Sequence, residues 1–432
     1  MVLRDVVEFP TGGESPRALG QTRWKSGADG ESPDGRRPVF RTHWNFSRAF
    51  FILKKVLRRG LMEKTIMESE LSELEIDEKY MSHALELAEK GRGTTHPNPM
   101  VGAVIVSGGI IAGEGYHRAP GEPHAEVVAI ENAREKARGS TLYVTLEPCA
   151  HSGRTPPCVD AIARAGIRKV VFAMRDPNPC VLGGGGRILS ERGIIVKEGV
   201  LEERAQKLNE EYVKRVTAGI PFVTLKMAMT LDGKVASKDS SSRFISSEES
   251  RRDVHSMRGI ADAIIVGIGT VLADNPLLTV RMGVKPRRIP ARVVVDSHAR
   301  IPTWARVLDT SEARTIVAVS REAPVERIRM LKSRGIEVIE NCGKEHVDLR
   351  RLLEVLGEMG MTSVILEGGP RLAYSFLREG LIDKFVFYIS PKIFGDGLSL
   401  FVGGFESPKI ERSLRIESVE RIGPDIRVVC YP

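Results

Sequence analysis

Apolar positions change their period along this chain, and the changes mark out its elements. From Asp77 to Lys90 they recur as Met81, Ala84, Leu85 and Leu87, one face of an amphipathic helix. Val101–Val106 reads as a short buried strand, His124–Ala137 as a helix, Thr141–Leu146 as a strand, Pro157–Ala165 as a helix and Lys169–Ala173 as a strand. Helices alternating with apolar strands imply an α/β sandwich. Leu201–Val216 reads as a charged linking helix, and Ile220-Pro221 opens a second unit. There Phe222–Met227, Ala263–Val266, Arg292–Asp296, Thr315–Ser320, Val338–Ile339, Ser363–Glu367 and Phe385–Ile389 read as strands. Arg251–Arg258, Pro324–Arg334, Leu349–Met359 and Pro370–Glu379 read as helices, so the second unit is α/β as well. The expected division is an extension at 1–75, a first domain at 76–200, a linking helix at 201–219 and a second domain at 220–432.

Residues 1–60 show no sustained period and are rich in Gly, Pro, Ser and Arg, a composition expected to be disordered. Their acidic residues argue against a mitochondrial presequence, and no apolar stretch follows the first basic residue as a secretory signal requires. A true start at Met62 or Met67 would remove them altogether. The net charge is +8, but residues 1–60 hold twelve Lys/Arg against six Asp/Glu. The remainder is close to balanced, so no nucleic-acid partner is expected. No apolar run reaches the length of a membrane span. Five cysteines, odd in number and sparse, do not read as a disulfide framework; a reducing cytoplasm fits them better.

Two of those cysteines carry chemistry. His124-Ala125-Glu126 is followed by Pro148-Cys149 and Pro157-Cys158. One His and two Cys can hold zinc and leave the fourth tetrahedral position for water, whose pKa then falls towards about 7. Predicted helix starts at these positions favour thiolate over thiol. Glu126, two residues after His124, is placed to carry the proton. Zinc nucleobase deaminases use H-x-E followed by P-C-x-x-C. Here the spacing between the two cysteines is longer, and the insert contains His151. Two other readings stay open. One is a nucleoside or tRNA deaminase with an accessory α/β domain. The other is a closed structural zinc site, for which His151 is the nearby fourth ligand.

The insert Pro148-Cys149-Ala150-His151-Ser152-Gly153-Arg154-Thr155-Pro156-Pro157-Cys158 resembles a narrower family, the bifunctional deaminase–reductases of riboflavin biosynthesis. His96-Pro97-Asn98-Pro99-Met100-Val101-Gly102, Gly115-Tyr116-His117 and Asp176-Pro177-Asn178-Pro179 are similar to that family too. The second unit matches it through Leu225–Lys234, Gly269–Arg281 and Leu366-Glu367-Gly368-Gly369-Pro370. The resemblance covers roughly residues 76–430. It implies a cytidine-deaminase-like α/β sandwich followed by a dihydrofolate-reductase-like α/β domain. It also implies two consecutive activities. The first is hydrolytic deamination of a diaminopyrimidinone ribosyl phosphate; the second is NADPH-dependent reduction of the ribosyl chain to ribityl.

Carried over residue by residue, the resemblance implies zinc on His124, Cys149 and Cys158, Glu126 as acid–base and Asn98 on the substrate ring. His117 is a substrate contact or a strand-end histidine. Ala228, Phe244, Thr270, Asp274, Ser297 and the run Gly369, Pro370, Arg371, Leu372, Ala373, Tyr374 and Ser375 would touch the nucleotide. The start of the helix at Pro370 suits a pyrophosphate. Lys226, Ser242, Arg258, Leu278, Arg281 and Glu367 would touch the reductase substrate. Arg258 and Arg281 have the chemistry of phosphate clamps. Lys226, on an apolar strand, needs a partner or a task, and orienting the opened ribose or its imine is the expected one. A homo-oligomer is expected alongside.

Overall fold

The computed structural model describes residues 72–150, 156–179, 184–237, 245–403 and 413–432. The readings made for residues 1–71, and those for His151, Ser242 and Phe244, lie outside them.

In the first half, helix α1 (residues 72–89) leads to β1 (Gly102–Ser107), β2 (Ile110–Tyr116), α2 (Ala125–Ala133), β3 (Thr141–Leu146), α3 (Cys158–Ala165), β4 (Lys169–Met174), α4 (Gly185–Glu191) and β5 (Ile195–Glu198). Among the described residues the strands form one sheet in the order β2-β1-β3-β4-β5. β1 is antiparallel to β2 and β3; β3, β4 and β5 run parallel. The period of two decides what each face holds. Ala103 and Ile105 point to a cluster with Ala125, Ala129 and Ala133 of α2 and Ile162 of α3. Val104 and Val106 point the other way, to Met81, Ala84 and Leu85 of α1 and Ala205 of the linker. Helices cover both faces of the sheet.

Strand β2 enters the expectations above only through the strand-end reading of His117, which directly follows it, and its sequence shows why. It contains Gly113 and Gly115, which weaken any strand reading. A Cβ on Gly113 would stand 2.3 Å from the Ala129 carbonyl oxygen, and one on Gly115 would stand 2.4 Å from that of Ala125. The glycines let α2 lie directly on the strand.

The linker is two helices, α5 (Glu202–Leu208) and α6 (Glu210–Ala218), rather than the single one expected. They part at Asn209. Its buried amide bonds both the N–H (2.8 Å) and the carbonyl (2.9 Å) of Met100, as a neighbouring strand would.

The second half contains β6 (Phe222–Thr230), β7 (Lys234–Ser237), α7 (Glu248–Arg258), β8 (Ala263–Gly267), α8 (Ile268–Asp274), β9 (Ala291–Val295), β10 (Thr315–Ala318), α9 (Val325–Ser333), β11 (Glu337–Ile339), α10 (Leu349–Glu358), β12 (Ser363–Leu366), α11 (Pro370–Arg378), β13 (Lys384–Ser390), β14 (Gly397–Ser399), β15 (Arg415–Ile422) and β16 (Asp425–Tyr431). Its main sheet has the order β11-β10-β9-β8-β12-β6-β13-β16-β15. The run from β11 to β13 is parallel, and β16 and β15 close it antiparallel. Val223 and Leu225 of β6 and Ile265 of β8 pack with Leu352, Leu353 and Leu356 of α10 and Phe376 of α11. Ile264 and Val266 face the opposite side, with Ile328 and Leu331 of α9. The C-terminal ends of β8, β9 and β12 therefore lie side by side and open into loops. In such sheets ligands bind outside these ends.

Candidate active sites

In the first half, three loops converge at the ends of β1 and β3. His124 precedes the first residue of α2, Cys158 is the first residue of α3, and Cys149 follows β3 through Glu147-Pro148. His124 Nδ1 lies 3.2 Å from Cys158 Sγ and 3.5 Å from Cys149 Sγ, and the three ligand atoms all lie within 4.8 Å of one another. The Cys158 backbone N–H donates to Cys149 Sγ at 3.3 Å. Hydrogen bonding from Cys158 holds the Cys149 thiol down to about 4, while Cys149 beside it pushes the Cys158 thiol up. Two thiolates this close repel, and a divalent cation relieves that repulsion. The donor set, with imidazole added, fits zinc with one position left open.

Glu126 is buried in the first turn of α2. Burial pushes its carboxyl up, with the charge of Cys149 adding to this and His124 opposing it. A carboxyl so placed exchanges protons more readily near neutrality than an exposed one. Asn98 and His117 face it across a cavity of about 450 Å³. Burial lowers the His117 imidazole below its ordinary range, which keeps it neutral. Its Nδ1–H donates to the Pro123 carbonyl (3.3 Å), and Nε2 accepts from Asn98 Nδ2 at 3.1 Å. The Asn98 amide oxygen then remains for a ring N–H. Asp176, Asn178, Tyr212 and Arg215 line the same cavity. The last two come from α6, and no local sequence signal marked them.

In the second half, Lys226 (β6) and Glu367 (after β12) sit on adjacent strands, with Lys226 Nζ 3.8 Å from Glu367 Oε2. Burial lowers the Lys226 ammonium despite Glu367. Burial also disfavours the Glu367 carboxylate, but Arg258 and Lys226 override it and hold its pKa at about 2. Arg258 already has partners within the protein. Its Nε and Nη2 hold Glu367 at 2.6 and 2.8 Å, and Nη1 donates to the Thr279 carbonyl. Arg281 is the less encumbered guanidinium, with one side-chain bond to Thr279 Oγ1 (3.0 Å). Leu278 has φ +54° and packs in the core cluster with Ile264 and Val266.

His255 was not anticipated. It is buried, and its Nδ1 accepts the Arg281 backbone N–H at 3.0 Å. Burial and the positive charge of Arg258 and Arg281 push it down to about 4, so it is neutral and able to accept.

Thr270 and Asp274 lie on α8, Ser297 follows β9, Ala228 is on β6, and Gly369–Ser375 spans the start of α11. A Cβ on Gly369 would stand 3.3 Å from Thr270 Oγ1, and one on Gly368 would stand 3.0 Å from Leu372 Cδ2. The glycines thus bare the backbone where α11 begins with Pro370 at its first turn. A bare helix start between strand ends fits a pyrophosphate.

Such a layered α/β unit with a His/Cys/Cys group and a buried carboxylate, followed by a largely parallel α/β unit, defines a zinc deaminase joined to a reductase-type domain. The family model for the cytidine and deoxycytidylate deaminase zinc-binding region matches residues 74–174, and that for the RibD C-terminal domain matches 221–428. The riboflavin biosynthesis protein RibD of Aquifex aeolicus (strain VF5) is 48% identical over 354 residues, covering 82% of this chain and 97% of that protein. That of Escherichia coli (strain K12) is 43% identical over 368 residues, covering 81% and 98%. The solved structure of Acinetobacter baumannii RibD, form 1, matches with a TM-score of 0.76 at 39% identity, covering 83% of this chain and 99% of that one. A Thermotoga maritima structure, described as a diaminohydroxyphosphoribosylaminopyrimidine deaminase/5-amino-6-(5-phosphoribosylamino)uracil reductase, matches with a TM-score of 0.74 at 41% identity, covering 83% and 99%. The chain belongs to the RibD family, the bifunctional deaminase–reductases of riboflavin biosynthesis. No helix among the described residues is long and apolar enough to cross a membrane.

Proposed function

We propose that the two reactions occur at the two sites just described, with the substrate and residue roles that follow. At the first, 2,5-diamino-6-(5-phosphoribosylamino)pyrimidin-4-one loses its 2-amino group to water and becomes the corresponding uracil. His124, Cys149 and Cys158 hold zinc, which when bound supplies Lewis-acid activation of water. Glu126 carries two protons in turn: the first from the attacking water to the ring nitrogen, the second from the added hydroxyl to the amine, which departs as ammonia. Asn98 and His117 present a fixed acceptor to the ring edge.

At the second site the ribosyl chain is reduced to ribityl. NADPH supplies the hydride when bound. Gly369, Pro370, Arg371, Leu372, Ala373, Tyr374 and Ser375 hold its pyrophosphate end, with Ala228, Thr270, Asp274 and Ser297 around the rest. Lys226 and Glu367 orient the opened ribose or its imine, and Arg281 takes the phosphate. The division at 76–200, 201–219 and 220–432, with 1–75 as an N-terminal extension whose last residues enter α1 at residue 72, belongs to this reading. So do a cytoplasmic location, a homo-oligomer, and a small-molecule substrate with no nucleic-acid partner.

The observation that carries the reading is the convergence of His124, Cys149 and Cys158 within 4.8 Å beside buried Glu126. Incubating purified protein with the diaminopyrimidinone ribosyl phosphate tests it. A product 1 Da heavier with ammonia released is expected without NADPH, and a further gain of two hydrogens with it; an unchanged mass in both would overturn it.

A further inference from the structure

The deaminase pocket has a wall that neither its metal ligands nor its acid–base residue explains. That wall is α6, which contributes Tyr212, Arg215 and Val216 to the same cavity as His124, Glu126 and Cys149. Among the described residues lining the cavity, Arg215 is the one Lys or Arg. Its Nε is buried, without a hydrogen-bond partner among the described residues. Buried charged donors are ordinarily satisfied, because leaving them unmade is costly. Glu126, Glu147 and Asp176 line the same cavity, but among the described residues none of them hydrogen-bonds Arg215. Glu147 Oε1 takes the Gly184 and Gly186 N–H groups (3.1 and 3.0 Å), and Asp176 Oδ1 takes the Tyr212 hydroxyl (2.9 Å) and the Asn178 N–H (3.0 Å).

Arg215 also sits on a fixed element. Asn209 ties the start of α6 to Met100, Glu210 pairs with Lys384 (2.8 Å), and Lys214 pairs with Asp383 (2.7 Å). A guanidinium held in place with open donors suits a multivalent oxyanion, to which it offers paired hydrogen bonds.

We propose that Arg215 is the anion clamp of the deaminase pocket and receives the phosphate of its ribosyl phosphate substrate. The inference rests on the deaminase reading and extends it. The amine that leaves and the phosphate lie at different ends of that substrate, so one pocket needs both a reacting end and an anion end. Arg215 binds and aligns; it takes no part in proton transfer.

The test is steady-state ammonia release from the phosphorylated substrate and from its phosphate-free riboside, by wild type, Arg215→Ala, Arg215→Gln and Arg215→Lys. For Ala and Gln, KM for the phosphorylated substrate rises roughly 10- to 100-fold, with kcat within about twofold. KM for the riboside is the same as in wild type, and Lys recovers part of the loss. Bound zinc and reductase turnover of the deaminated phosphate stay at wild-type values. Gln keeps the bulk of the side chain and reports in the same way should Ala unfold the chain. An unchanged KM for the phosphorylated substrate, or an equal loss on both substrates, overturns the clamp while leaving the deaminase reading intact. No ammonia from either substrate with wild type overturns that reading and the clamp with it.

Discussion

His96 Nδ1 and Asp262 Oδ2 meet at 3.1 Å between the two halves of the chain. Both are buried, and each has further partners: Glu211 at His96 Nε2 (3.1 Å), Arg288 on Asp262, and Thr362 on both. Removing one partner of a buried pair leaves the other uncompensated, at a cost of about 3–5 kcal/mol. Asp262→Asn is therefore expected to lower stability on that scale, read by urea unfolding. A loss below about 0.5 kcal/mol would show that the contact is only superficial.

The same pair sets a pH dependence. Burial lowers the His96 imidazole, but hydrogen bonds to Asp262 and Glu211 outweigh this and raise it from 6.5 to about 9. The folded chain holds that proton more tightly than the unfolded chain. The contribution is fully present below pH 6.5 and is lost as pH rises through 9. For Asp262, burial raises the carboxyl, but His96 overrides it and lowers it from 3.8 to about 2. Its contribution is present above pH 3.8 and lost as pH falls through 2. Melting temperature followed from pH 6 to 10 should fall more steeply in wild type than in His96→Gln; parallel curves would contradict the assignment.

Glu126→Gln is expected to keep zinc and fold, while kcat for ammonia release falls at least about 100-fold. Reduction of the deaminated substrate should be unaffected. Ammonia release at the normal rate would remove Glu126 from its acid–base role.

Lys226→Met should act in the opposite half. It removes a buried ammonium 3.8 Å from Glu367, so reductase turnover falls and deamination continues. Equal loss of both activities would contradict the separation of the sites.

Gly185→Ala probes the support behind a metal ligand. The new Cβ would lie 1.8 Å from the Pro148 carbonyl oxygen, beside Cys149, and an overpacked site of this kind costs about 1–3 kcal/mol. Retained zinc after dialysis should fall along with stability. Wild-type retention would mean that the Pro148 loop yields without moving Cys149.

How much of this was legible in the sequence follows from what each residue answers to. His124, Glu126, Cys149 and Cys158 were singled out by spacing and predicted helix starts; Cys149 lies instead in the loop after β3, and the fold brings the three ligand atoms together. Most helices were readable because one face of each is apolar, and most parallel strands because they are short apolar runs buried on both faces; α8 and β5 were not read. Strand β2 was not, because its glycines answer to a helix laid against it. Edge strand β15 is exposed over most of its length, so it lacks the contrast between faces that period two requires. Arg258 carries the charge of a phosphate clamp, yet Glu367, far away in sequence, decides what it holds. Arg215 reads as one more charge on a charged helix until the cavity behind it is seen.

Helix α6 gives the order of the two halves a physical meaning. Its residues close one cavity and pair with Asp383 and Lys384 beside the other half's sheet. It is a shared wall rather than a tether. A fragment cut before residue 201 would keep His124, Cys149 and Cys158 and still be missing one side of its pocket.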